Sequence, residues 1–405
     1  MAPIPILLIS DSVSSSTGLG RICRELAVRI HAHLADTFEV ATCGFGGTYS
    51  QEFPWKQYTV SRVNGWQIPE LPFVARDFFR GRKGILFFVM NQSWLEWVAE
   101  PELLPDGDLK TFLQSDGFEK WIYCPIDAEG PNGKLVWSQE QILMTFDRIL
   151  AYTEFGAKVI AKTLGFEKVV CDHLPHGTDD TVFYPRSRKE ARACFLEKVV
   201  QKGQGLISDE VLLLSVIATN TQRKNYGLAF EVCGELLKRG INVGMWCHTD
   251  SFQKAHCWDL LTLADSFGMK QRTIFTNSHL DDDALSWGMA ASDVVLGIGD
   301  GEGWGLVNSS ALACGIPCIT GDYAGAAEFT PEAFKIKPVA YRYEGYYCNK
   351  RPVFNPKDWA DKVEDFYQTA KKWPDRKRFS LLLDDYLWKN CWPAWAEWLV
   401  GVVNG

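Results

Sequence analysis

The chain has 405 residues, 46% hydrophobic and 23% charged, a balance that argues against a disordered or membrane-spanning protein and suits two domains of ordinary size. Forty-two Lys and Arg against fifty Asp and Glu give a net charge of −8, the wrong sign for a protein that grips duplex nucleic acid through many phosphates. The start, MAPIPILLIS, has no basic region and turns polar at Ser10, and no apolar run nears the ~18 residues a spanning helix needs, so the expectation is a cytoplasmic protein without a membrane anchor.

Short apolar runs alternate with amphipathic segments, the pattern of a parallel α/β sheet. Ile4 to Ser10 reads as a buried strand, Gly20 to Leu34 as a helix and Phe38 to Cys43 as the next strand. Further strands are predicted at Ile85 to Met90, Trp121 to Pro125, Arg148 to Tyr152 and Val169 to Leu174. From Arg186 to Glu210 the sequence turns charged, and a strong strand, Val211 to Ile217, then restarts the pattern. The second series is helix Leu228 to Arg239, strand Val243 to Cys247, helix Asp281 to Ala291, strand Val294 to Gly297, helix Leu306 to Cys314 and strand Pro317 to Thr320. The expected division is therefore residues 1–190 as one Rossmann-like domain, 191–208 as linker, 209–380 as a second Rossmann-like domain and 381–405 as a Trp-rich terminal helix. Trp388, Trp392, Trp395 and Trp398 fall roughly on one side of that helix, which Pro393 is expected to interrupt, and a role in packing back on the N-terminal domain is one reading of it.

The first loop, SDSVSSSTGLGR, links strand to helix, and Gly18 and Gly20 would let backbone N–H groups approach an anion at the helix N-terminus. A dinucleotide fingerprint would need Gly at position 23, where Cys23 stands, and no G-x-x-x-x-G-K-[ST] occurs, so a nicotinamide dehydrogenase and a P-loop nucleotidase are both disfavoured. In the second half, TNTQRKN sets Arg223 and Lys224 just beyond a buried strand, where ligands bind in open α/β sheets. A planar guanidinium and a mobile ammonium together suit a diphosphate, although a solvated pair at a helix start would look the same. Residues 299–322, GDGEGWGLVNSSALACGIPCITGD, form a Gly-rich acidic turn before a helix. Gly303 and Gly305 would offer backbone donors to a phosphate there, while Glu302, repelled by that phosphate, could accept hydrogen bonds from the hydroxyls of an attached neutral sugar.

Several residues stay closer to structure. In YCPIDAEG, Asp127 follows a first-half strand and is an acceptor or sugar contact or a turn former, and Asn91 in MNQSW ends another strand. His173 and His176 near the hinge read as structural, and Asp281 to Asp283 open a helix rather than hold a metal, so no metal is assigned. The twelve cysteines, including Cys314 and Cys318, show no zinc spacing and read as reduced core residues. The aromatic and basic segment at 341–354 is an acceptor contact or a packed loop.

The run AASDVVLGIGDGEGWGLVNSSALACGIPCITGD resembles the donor-site signature of family 4 glycosyltransferases, which have the GT-B fold: two Rossmann-like, doubly wound α/β domains facing each other across a cleft. STGLGR, RILAYTEFGAKVIAK, LPHGTDDTVFYP and TNTQRKN are similar to other family segments, so the likeness extends over most of the chain. The resemblance implies a retaining, metal-independent transfer from a nucleotide diphosphate-sugar, a UDP- or GDP-sugar above all, with no separate cofactor. It implies Glu302, Arg223, Lys224 and Asp127 as catalytic residues, and Gly18, Gly20, Asn220, Gly303, Trp304, Gly305, Leu306, Val307 and Ser310 as contacts of the donor. The family carries a second glutamate where this chain has Ser310, a shorter and neutral group that can still bond a hydroxyl. The acceptor is not legible: a small molecule, a glycan and a nucleic acid all stay open, since the motif wording is also similar to phage glycosyltransferases, some of which decorate DNA bases. A nucleotide-sugar binding protein without turnover is the alternative from another class.

Overall fold

The computed structural model describes residues 2–46, 52–165, 172–200, 208, 210–370 and 376–404. The chain divides into two compact units, Met1–His176 with Gly345–Asn349 and Cys391–Gly405, and Gly177–Glu344 with Lys350–Asn390.

The first unit holds a seven-stranded sheet of β1 Ile4–Asp11, β2 Phe38–Phe45, β3 Lys56–Thr59, β4 Gly84–Val89, β5 Phe118–Cys124, β6 Arg148–Ala151 and β7 Asp172–His173, in the order β3-β2-β1-β4-β5-β6-β7. Every pairing is parallel. Parallel strands need crossovers, and helices such as Gly18–His33 and Glu154–Leu164 supply them and cover the sheet. Central strands are apolar along their whole length: Ile6, Leu7, Leu8, Ile9, Leu86, Phe87 and Phe88 are all fully buried. Of the strand expected at Val169 to Leu174, residues 169–171 lie outside the described residues.

The second unit repeats the plan with β8 Leu212–Ile217, β9 Val243–His248, β10 Thr273–Thr276, β11 Val294–Gly297, β12 Cys318–Gly321 and β13 Lys335–Ile336, ordered β10-β9-β8-β11-β12-β13. These pairings are parallel as well. A two-stranded sheet, β14 Ala340–Glu344 and β15 Asn349–Val353, follows.

In both sheets the chain starts in the middle, winds to one side, then returns to wind to the other. The reversal falls between β1 and β4 in the first sheet and between β8 and β11 in the second. Loops leaving two such strands part in opposite directions and open a crevice at the carboxyl edge.

Two expectations change. Residues 191–198, expected to begin a linker, belong to the helix Arg188–Lys198 of the second unit, and the chain passes from one unit to the next at His176–Gly177. The charge that suggested a linker is spent inside: Arg188 and Arg192 reach the Asp293 carboxylate at 2.6 and 2.8 Å, while Phe195 packs edge-on against buried Trp246. Residues 201–207 and 209 of that stretch lie outside the described residues. Second, the helix Trp388–Asn404 runs through Pro393. One lost backbone N–H is offset by burial, since Trp395 and Leu399 are fully buried in the first unit. There Trp395 meets Tyr123 edge-on and donates Nε1 to the Pro175 carbonyl at 2.9 Å, while Trp398 donates to Asp172 at 2.9 Å.

Candidate functional site

The loops after β8 and β11 meet at the reversal point of the second sheet. Beyond β8, Gln222–Lys224 form a single 3-10 turn. Asn225 follows in the left-handed region, φ 34°, and caps the helix Tyr226–Lys238 by accepting the Leu228 N–H. From behind, Trp258 donates Nε1 to the Thr221 carbonyl at 3.0 Å and so fixes the turn. Arg223 and Lys224 are thereby held at the carboxyl edge of the sheet.

Beyond β11, the turn at 298–305 brings Glu302 to the same place. Lys224 Nζ donates to Glu302 Oε1, and Arg223 lies 3.2 Å from Oε2 while donating also to the Gly301 carbonyl. Burial alone would raise the Glu302 carboxyl; Arg223, then Lys224, outweigh it and hold the group at about 2. The three sequence-predicted groups thus form one charged cluster. Glycines make the space for it: a Cβ on Gly299 would collide with Glu302 Oε1, and one on Gly325 with the Gly303 carbonyl. Gly305, at φ 100°, opens the helix Leu306–Ala313, which has no side-chain cap at its N-terminus. Leu306 and Val307 in that first turn are half-exposed, whereas Ser310 is buried one turn further in.

Two residues named as donor contacts also brace the site. Asn220 is fully buried; it spends both amide hydrogens on the Ser251 and Trp258 carbonyls, at 3.0 and 2.8 Å, and accepts the Trp258 N–H. It clamps the loop that carries Trp258. Trp304 is buried against Phe329 and Tyr386, with ring centroids 4.7 and 5.5 Å away, so it anchors the Glu302 turn from beneath.

In the first unit, Gly18 and Gly20 start the helix that follows β1, at that sheet's reversal point. The Gly20 N–H is already taken by Thr17 Oγ1 at 3.1 Å, and the residue is Gly because a Cβ would strike the Ser12 carbonyl. Gly18 is exposed. Asp127 is half-buried in the loop after β5, and Asn91, after β4, caps a short turn through the Ser93 N–H at 2.9 Å. Asp281 is a helix cap, accepting the Ala284 N–H at 2.7 Å.

Sequence reasoning missed the residues that support this cluster. Asp300 stood in the quoted motif as part of an acidic turn, but it is fully buried and bonded to Asn225 and to Arg342 on β14. The signal was present only as an acid between two glycines; its cationic partner lies 42 residues away.

No family model matches the chain. D-inositol 3-phosphate glycosyltransferase of Mycobacterium tuberculosis (strain ATCC 25618 / H37Rv) is 26% identical over 203 residues, 49% of this chain and 39% of that protein. The chain therefore accounts for well under two thirds of the length of the curated relatives it matches. Among solved structures, sucrose-phosphate synthase from Thermosynechococcus elongatus superposes with a TM-score of 0.69 at 13% identity, covering 99% of both chains. HepE of Anabaena, in complex with UDP and glucose, gives 0.70 at 12% identity over 98% of this chain and 100% of that one. The lipopolysaccharide glycosyltransferase WaaG gives 0.56 at 16% over 94% of each. The fold is GT-B. Both parallel sheets of this GT-B chain, with seven and six strands, have their counterparts in these structures along nearly the whole sequence. Among the described residues no helix is long and apolar enough to cross a membrane.

Proposed function

We propose that the protein is a glycosyltransferase, of the family 4 type, that moves a sugar from a nucleotide diphosphate-sugar to an acceptor hydroxyl with retention of configuration. The observation that carries the proposal is the cluster of Arg223, Lys224 and Glu302 at the reversal point of the second sheet. Breaking the glycosidic bond leaves negative charge on the departing diphosphate. A guanidinium and an ammonium fixed at a sheet edge stabilise that charge without reorganising, the kind of contribution that dominates such catalysis. The uncapped N-terminus of the helix Leu306–Ala313 adds backbone donors of the same sign. Glu302, ionised throughout the neutral range, accepts from sugar hydroxyls and orients the ring.

A UDP- or GDP-sugar is the proposed donor, supported by the structures of HepE with UDP and with UDP-glucose. The mycobacterial relative's name points to a small phosphorylated polyol as one class of acceptor to try, alongside glycans. Asp127, at the carboxyl edge of the first sheet, is the proposed acceptor contact. Incubation with UDP-, GDP- and ADP-sugars, read by mass spectrometry, tests the proposal. Nucleotide release that depends on an added acceptor supports it. Binding without release under every acceptor supports instead a nucleotide-sugar receptor, the reading that Ser310, in place of an acid, favours.

A further inference from the structure

The turn that carries Glu302 begins with an acid that the donor chemistry does not use. Asp300 has no exposed surface, and three separate pieces of the second unit converge on it. Its own N–H donates to the Arg223 carbonyl at 2.8 Å. Asn225, next after Lys224, donates Nδ2 to Oδ1 at 2.8 Å, and Arg342 on β14 donates Nη2 to Oδ2 at 2.7 Å. Arg351 on β15 reaches the Asp300 carbonyl at 3.4 Å and Glu344 at 3.1 Å.

Burying a carboxylate costs several kcal/mol unless it is paired and hydrogen-bonded, so an acid in this position is a poor way to gain stability alone. It is a good way to fix geometry. The turn it begins is rich in glycine, with Gly301 at φ 129°, and such a backbone has more conformations to lose than any other. Asp300 ties that backbone to the turn carrying the two cations.

We propose that Asp300 is a positioning residue for the nucleotide-sugar site: it locks the Arg223–Lys224 turn, the Glu302 turn and the strands β14 and β15 into one frame, with Arg342 as its counter-charge. The inference rests on the donor-site reading given above.

The test is the affinity of the full chain for UDP and GDP, measured by calorimetry beside the melting temperature. Asp300→Asn keeps the shape and the acceptor for Asn225 while removing the charge that faces Arg342. Arg342→Met removes the other half from a side chain that is 46% exposed, which opens no cavity but leaves the buried Asp300 carboxylate without its counter-charge and lowers the melting temperature. Each single variant weakens nucleotide binding about tenfold, the worth of one charge-assisted hydrogen bond, and the double variant is no weaker than the weaker single. Arg342→Lys recovers part of the loss. Variants that bind nucleotide as tightly as the wild type, whatever their melting temperature, overturn the proposal and leave the donor site standing. A wild type that binds neither nucleotide removes the donor site and this proposal with it. Should a single variant fail to fold, the double variant, in which neither charge is left facing an uncharged partner, decides the matter.

Discussion

Lys224 and Glu302, 78 residues apart in sequence, are hydrogen-bonded to each other, and Arg223 shares the same carboxylate at 3.2 Å. One carboxylate therefore serves two cations, and the cluster keeps a net positive charge. On the proposed donor reading, a diphosphate draws the two cations from Glu302 and frees its carboxylate for a sugar hydroxyl. Such an exchange would favour a ligand with an anionic part and a hydroxylated part side by side.

The glycines around Glu302 separate function from folding. In Gly299→Ala the new methyl meets only the end of the Glu302 side chain, which can swing away, so the fold survives while turnover falls about a hundredfold, the scale for displacing one transition-state contact. In Gly325→Ala the methyl meets the Gly303 backbone, and melting shows a loss of about 1–3 kcal/mol, as for overpacked cores. Equal effects of the two changes on turnover and melting would argue against this assignment.

Acidification should destabilise the chain through its buried histidines from about pH 6.5 downward. Burial pushes the His176 imidazole down to about 3 and that of His248 down to about 4. Both stay neutral in the folded chain, whereas in the unfolded chain they take up protons near pH 6.5. Stability is thus whole above about 6.5 and falls as the pH drops toward the folded values, by about 1.4 kcal/mol per pH unit for each group. The depressed Glu302 acts in a lower window: its contribution is present above the ordinary carboxylate range and lost as pH falls through about 2. Denaturant melts at pH 7, 6 and 5 on the wild type and His176→Gln check this, and the variant should show the shallower slope.

Trp395 ties the terminal helix to the first unit, where it is fully buried against Tyr123 with its N–H on the Pro175 carbonyl. Trp395→Ala should cost about 3–5 kcal/mol by chemical denaturation, the range for a large buried aromatic. A loss below about 1 kcal/mol would mean that the helix contributes little to this unit.

The central strands were legible because burial on both faces leaves a nearly continuous apolar run: Ile4 to Ser10 was read within the strand Ile4–Asp11, and Val294–Gly297 as it stands. Lys56–Thr59 was not, since an edge strand with exposed Lys56 and Gln57 has no apolar pattern to find. At the site, Arg223 and Lys224 stood out as a cationic pair just beyond a strand end and Glu302 as an acid among glycines, both local signals. The bonds by which Asn220 and Trp304 brace the neighbouring loops were not legible, since their partners lie far along the chain. Asp300 escaped because its meaning depends on Arg342, and a pairing over that distance leaves no trace in a single sequence.

The division of labour between the cations and Glu302 can be measured by titrating a nucleotide diphosphate and its sugar conjugate, UDP with UDP-glucose or the guanosine pair, into the wild type, Glu302→Gln and the double variant R223A/K224A. The double variant should lose about a hundredfold toward both ligands, while Glu302→Gln keeps or tightens the free diphosphate, its cations now released, and weakens only the sugar conjugate. Equal weakening of both ligands by Glu302→Gln, or undiminished binding by the double variant, would contradict the account.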